Sequence, residues 1–257
     1  MSFTSRRLFL FGLSSLPLVG APKRRTSVLA DVGESTAALP DAGFDGFIRN
    51  LTEARPIQKQ PQLFGIRAPL PRFEDSMDDA ASELKKLAET ASAQGAAGLI
   101  VTHPGLSGNG AFRPVDLERK ARILGIAGSI CDSRGLAFLY QNQSLEFSGN
   151  GVEERALMAR TDSKQVSFLL DAGEAMRGGA DVAAFFITNQ KRIGGILLTD
   201  FKDDGLVPFG QGNLPAAAIG SAMQKGHWSG WLVAPLNRGF LEDYKGMREM
   251  IRSKLGV

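Results

Sequence analysis

From Thr26 onward, short runs of apolar, β-branched and aromatic residues alternate with longer stretches whose apolar positions recur at helical spacing. Ser27–Ala30, Gly46–Asn50, Leu63–Ala68, Gly98–Thr102, Ala137–Gln141, Val166–Leu170, Gly195–Thr199 and Gly230–Ala234 read as strands. Between them, Ala80, Leu84, Leu87, Ala88 and Ala91 share one helix face, as do Leu117, Ala121, Leu124, Gly128 and Cys131. The first predicted helix, Glu34–Ala42, is short. Alternation of this kind predicts parallel βα units, and eight of them predict an α/β chain closed into a (β/α)₈ TIM barrel over residues 26–257. The length of 257 residues suits one such domain, since these barrels run to about 250.

Barrels of this kind do their chemistry at the C-terminal ends of the strands. Here those ends read Asp31, Arg49, Arg67, His103-Pro104-Gly105, Tyr140-Gln141-Asn142-Gln143, Asp171-Ala172-Gly173, Asp200-Phe201-Lys202-Asp203 and Pro235-Leu236-Asn237. A glycine-rich turn, Gly210-Gln211-Gly212, follows the seventh strand.

Ahead of the barrel, Ser5-Arg6-Arg7-Leu8-Phe9-Leu10-Phe11 opens an apolar stretch that runs to Ala21 and ends in Pro22-Lys23-Arg24-Arg25. A basic start followed by a short apolar run is the grammar of a signal peptide, and adjacent arginines before Leu-Phe-Leu resemble a twin-arginine signature. Residues 1–25 are therefore expected to be an export leader, and the domain to be periplasmic. The apolar run is shorter than the roughly 18 residues of a membrane span, so no stable anchor is expected.

Charge changes this picture little. The formal net charge is +3, but five cations fall in the first 25 residues with no acid among them, which leaves the remainder slightly acidic. That balance gives no nucleic-acid footprint. Cys131 is the sole cysteine, so no intrachain disulfide forms, and its place on an apolar stripe predicts a buried thiol. Two histidines rule out a histidine-rich metal site.

At the strand ends the sequence resembles the xylose-isomerase-like TIM-barrel superfamily of sugar isomerases, epimerases and inosose dehydratases. The pattern Y-H-N-H-x-x-E-F stands here as Tyr140-Gln141-Asn142-Gln143-Ser144-Leu145-Glu146-Phe147, and L-D-x-G as Leu170-Asp171-Ala172-Gly173. H-x-K-D stands as Asp200-Phe201-Lys202-Asp203, and V-P-x-G-E-G as Val207-Pro208-Phe209-Gly210-Gln211-Gly212. Gly43-Phe44-Asp45-Gly46 matches the approach to the second strand. The resemblance implies a divalent ion held by two Glu, one Asp and one His. The chain departs from that set: both histidines of the fifth strand are glutamine, Ile48 and Ala234 stand where glutamates would, and Asp200 replaces a histidine.

What the resemblance implies for this chain is an altered site. Asp171 and Asp200 supply anionic metal ligands, and Gln141 a neutral one. Lys202 and Glu146 are the candidate catalytic groups, and Arg67, His103, Asn142, Gln143 and Asn237 the candidate substrate contacts. Two cofactor states stay open: a weakly held Mn²⁺ or Mg²⁺, or no metal at all. A small carbohydrate is the expected partner, with oligomeric state undetermined. Two functions follow. One is a keto-sugar or polyol isomerase/epimerase working through an enediolate. The other is a carbohydrate-binding barrel without catalysis.

Overall fold

The computed structural model describes residues 26–33, 43–51, 62–74, 76–106 and 112–257. The expected leader (1–25) and the predicted short helix (34–42) lie outside the described residues. Eight parallel strands close a barrel: β1 (Ser27–Asp31), β2 (Gly46–Asn50), β3 (Gln62–Pro69), β4 (Gly98–Thr102), β5 (Ala137–Gln141), β6 (Ser167–Asp171), β7 (Ile193–Leu197) and β10 (Trp231–Ala234). The ring runs β1-β10-β7-β6-β5-β4-β3-β2, with β1 hydrogen-bonded to both β10 and β2. Between β7 and β10 the chain adds an antiparallel hairpin, β8 (Asp200–Lys202) with β9 (Gly205–Val207). The seventh predicted strand, Gly195–Thr199, therefore stops two residues early and begins two early as well. Every other predicted strand is present, with its bounds shifted by no more than one residue.

The helices are α1 (Met77–Ala93), α2 (Pro114–Asp132), α3 (Ser148–Arg160), α4 (Ala172–Arg177), α5 (Val182–Asn189), α6 (Ala216–Lys225) and α7 (Tyr244–Leu255). Their starts follow local chemistry. Ser76 caps α1 by accepting the Asp79 N–H at 3.2 Å, with Asp78 and Asp79 in the first turn facing the positive helix end. Pro114 sits at the start of α2, where its missing N–H costs nothing. Of the predicted stripes, Ala80, Leu84, Ala88 and Ala91 on α1 and Leu117, Ala121, Leu124, Gly128 and Cys131 on α2 are buried, and Leu87 is half-buried. Among the described residues no helix is long and apolar enough to cross a membrane.

Alternation along each strand separates two cores. Leu29, Ile48, Ile100, Leu139, Leu169, Leu197 and Val233 fill the barrel, closed off by Phe64 and Trp231, which meet edge to face at 5.9 Å. Their neighbours, such as Val28, Ala30, Phe138, Phe168 and Leu232, face the helices. Gly65 keeps the interior open, because a Cβ there would press on Ile48, Ile100 and Trp231. Counting two residues on from the interior positions of β1, β2, β5, β6 and β7 reaches Asp31, Asn50, Gln141, Asp171 and Thr199. Two residues beyond Gly65 stands Arg67. This inward layer is the mouth.

Candidate functional site at the barrel mouth

A continuous polar chain crosses the mouth. Asp31 accepts from Arg67 Nη2 at 2.6 Å and from the Gly33 N–H at 3.2 Å. Arg67 Nε donates to Gln141 Oε1 at 2.8 Å, and Gln141 Nε2 donates to Asp171 Oδ2 at 3.4 Å. Arg238 Nη2 reaches the same Oδ2 at 3.2 Å, and its Nη1 lies 3.5 Å from Glu174 Oε1. Arg177 is 3.7 Å from that oxygen as well. The other oxygen of Asp171 accepts from the Thr199 hydroxyl and from the Glu174 N–H, the latter capping α4. Asn142 exchanges two bonds with the Asp171 backbone, at 2.7 and 3.2 Å, and so fixes where β6 ends.

Asp171 is fully buried, and burial pushes its carboxyl up to about 6 against the opposing pull of Arg238 and Thr199. The groups with open edges are Arg238, 28% exposed, and to a lesser degree Arg67 and Glu174. Of the sequence-predicted residues, Arg67, Gln141, Asn142 and Asp171 are brought together here. Arg238 and Glu174 were not foreseen. Glu174 had a signal, since it lies three residues past Asp171 and can reach back over one helical turn. Arg238 had none: a short 3₁₀ turn, Leu236–Arg238, delivers it to the mouth.

Asp200 does not join the mouth. It follows Thr199 by one residue, and one residue of register flips a side chain to the opposite face. Its carboxylate accepts from the backbone N–H groups of Gly210, Gly212 and Leu214 at 2.9, 3.0 and 2.9 Å, so it organises the glycine-rich turn. Lys202 is exposed on the hairpin, and the partner of Asp171 is Arg238 in its place. Asn237 is also exposed, packed against Gly33, where a Cβ would meet the Asn237 Cβ at 2.8 Å and the φ of +57° itself favours glycine.

Glu146 lies behind β5 in a second, wholly buried cluster. Lys120 Nζ is 2.5 Å from Glu146 and 2.6 Å from Glu153, and Tyr140 donates its hydroxyl to Glu146. Each carboxylate also holds a loop of the mouth by its backbone. Glu146 accepts the Gln143 N–H at 2.7 Å, and Glu153 accepts the Leu106 N–H at 3.0 Å. Gln143 and His103 are thus set on loops tied from behind. His103 Nδ1 accepts the Gly105 N–H at 3.1 Å, and burial, aided by Lys120, pushes the imidazole down to about 4, keeping it neutral. Lys120 had a signal: it is a cation three residues past Leu117, on the apolar stripe of α2.

These residues do not fit a divalent ion. Among the described residues no three His, Cys, Asp or Glu side chains cluster as a cage. The mouth carboxylates already accept guanidinium and amide donors, and two fixed arginine charges stand beside them.

A closed barrel of eight parallel strands with a polar layer at its C-terminal mouth defines the class: a TIM barrel. The chain belongs to the xylose isomerase-like TIM barrel family, whose model matches residues 61–253. No curated protein matches it in sequence. Among solved structures, an L-ribulose 3-epimerase is 15% identical over 90% of this chain and 94% of its own, with a TM-score of 0.70. The IolI protein with a bound zinc atom is 13% identical over 89% and 96%, at 0.69. A sugar phosphate isomerase/epimerase from Parabacteroides distasonis is 15% identical over 82% and 88%, at 0.65. At these identities the likeness is one of fold.

Proposed function

We propose that this barrel takes a small carbohydrate at its C-terminal mouth and moves a proton on it, in the manner of a sugar isomerase or epimerase. One observation carries the reading. The polar chain from Asp31 through Arg67, Gln141 and Asp171 to the Arg238–Glu174 ion pair lines the mouth with alternating donors and acceptors, and its terminal guanidinium, Arg238, is partly exposed. Alternating donors and acceptors suit vicinal hydroxyls. Glu174 is placed to accept a proton from carbon, while Asp171 and Gln141 hold the neighbouring groups still. The names of the structural neighbours, several of them epimerases or isomerases, agree with a keto-sugar ligand.

A second reading, a binding barrel without turnover, is favoured by the complete burial of Asp171. One experiment separates the two. The protein is incubated in D₂O with a panel of keto-sugars, and nuclear magnetic resonance follows both ligand binding and deuterium uptake beside the carbonyl. Exchange that Glu174→Gln removes while binding persists supports the enzyme. Saturable binding without exchange leaves the binding barrel. Neither binding nor exchange ends the carbohydrate reading.

A further inference from the structure

We infer that Arg238 is the cation of this site, standing in the place that a divalent ion would need and making the mouth metal-independent. The inference rests on the mouth being the carbohydrate site. Its basis is charge geometry. Asp171, fully buried, accepts from Arg238 at 3.2 Å, and Glu174 lies 3.5 Å from the same guanidinium. Across the mouth Asp31 is held by Arg67 at 2.6 Å. An ion arriving between these carboxylates must displace a guanidinium from each and then sit beside its fixed positive charge. Both terms oppose binding in a partly desolvated pocket.

Arg238 is equipped for the ion's task. It is anchored at Nη2 by Asp171 and at Nη1 by Glu174, and about a quarter of its side chain stays exposed. Arg67 is committed on three sides, to Asp31, Gln141 and Asn50, and contributes orientation. With a keto-sugar bound, Glu174 takes the proton from the carbon next to the carbonyl. The C–H electron pair becomes the new C=C bond, and the carbonyl π pair moves onto oxygen. Arg238 donates N–H to that oxygen. Glu174 then returns the proton to the former carbonyl carbon while the proton of the neighbouring hydroxyl passes across to the original carbonyl oxygen, so that the carbonyl re-forms one carbon along. No oxidant, reductant or further reactant is consumed. A preorganised donor facing a developing oxyanion contributes about 100- to 1000-fold in rate.

The test uses Mn²⁺ as probe, read by electron paramagnetic resonance on the full chain, so its outcome does not depend on any turnover. The wild-type protein is expected to leave millimolar Mn²⁺ free. Arg238→Met uncovers Asp171 and Glu174 and is expected to gain Mn²⁺ binding at that concentration, a gain that Asp171→Asn added to it abolishes. Saturable Mn²⁺ binding by the wild type that Asp171→Asn removes overturns the inference, and so does an Arg238→Met protein that binds no better than the wild type. Should the methionine variant not fold, Arg238→Lys, which keeps a cation in place, must exclude Mn²⁺; binding by it overturns the inference equally. Deuterium exchange, where present, is expected to survive EDTA and to fall about 100-fold or more in Arg238→Met.

Discussion

The ammonium of Lys120 meets the carboxylate of Glu146 at 2.5 Å with neither side chain exposed to solvent. The same ammonium holds Glu153, and through the two glutamates it grips the loops after β4 and β5 from behind. Removing one partner of such a cluster leaves uncompensated buried charge. Lys120→Met is therefore expected to lower unfolding free energy by about 3–5 kcal/mol, measured by denaturant melts. Adding Glu146→Gln and Glu153→Gln should recover much of that loss, because the stranded charges go with the lysine.

Glu154 sits beside this cluster, fully buried, with one oxygen that has no hydrogen-bond partner among the described residues. Burial first, and then the charge of Glu146, hold its carboxyl well above its usual 4.5. The folded chain thus keeps a proton that the unfolded chain releases near 4.5. Its stabilising share is complete below that pH and is lost as pH rises toward the folded value. Glu154→Gln keeps the neutral form at every pH. It is expected to change stability little at about pH 4 and to raise it at pH 7, as urea melts at the two values will show.

Asp200 and Lys202, two residues apart, are expected to behave oppositely. Asp200→Ala strands three backbone donors in the glycine-rich turn and should cost about 3 kcal/mol or more, since bonds to a charged acceptor contribute roughly 1.5–3 kcal/mol each. Lys202→Met, on the exposed hairpin, should stay within about 0.5 kcal/mol of the wild type. Thermal melts of the two variants check the contrast.

Export is a prediction of sequence alone. Arg6→Lys combined with Arg7→Lys is expected to hold the protein in the cytoplasm, because the paired arginines are what a twin-arginine route reads. Cell fractionation decides it, and an unchanged periplasmic share counts against the leader.

The barrel was legible because strand and helix periods differ and each strand repeats its own signal, so an error of a residue at one end does not disturb the rest. The site was legible only in part. Gln141 and Asp171 were readable because they close their strands with the inward parity, and Arg67 because it shares that parity two residues before the end of β3. Asp200 misled because motif order places it at a strand end, whereas β7 stops at Leu197 and parity turns Asp200 outward. Lys120 signalled its place but not its role: helical spacing put it on the buried face, and a cation there makes sense only once Glu146 and Glu153, distant in sequence, are known to meet it. Arg238 depends on the path of a short turn, which no periodicity encodes.

The parity of that one step makes the mouth's chemistry switchable by length. Deleting Thr199 would carry Asp200 into the inward slot, removing the hydroxyl that Asp171 now accepts from and setting a third strand-end carboxylate opposite Arg67 and Arg238. The balance of the layer would tip from guanidinium-satisfied to cation-seeking without any residue changing its identity. A mouth that needs an ion and one that supplies its own thus lie a single codon apart, with the glycine-rich turn, which would lose its three-way anchor, as the element that must be rebuilt in exchange.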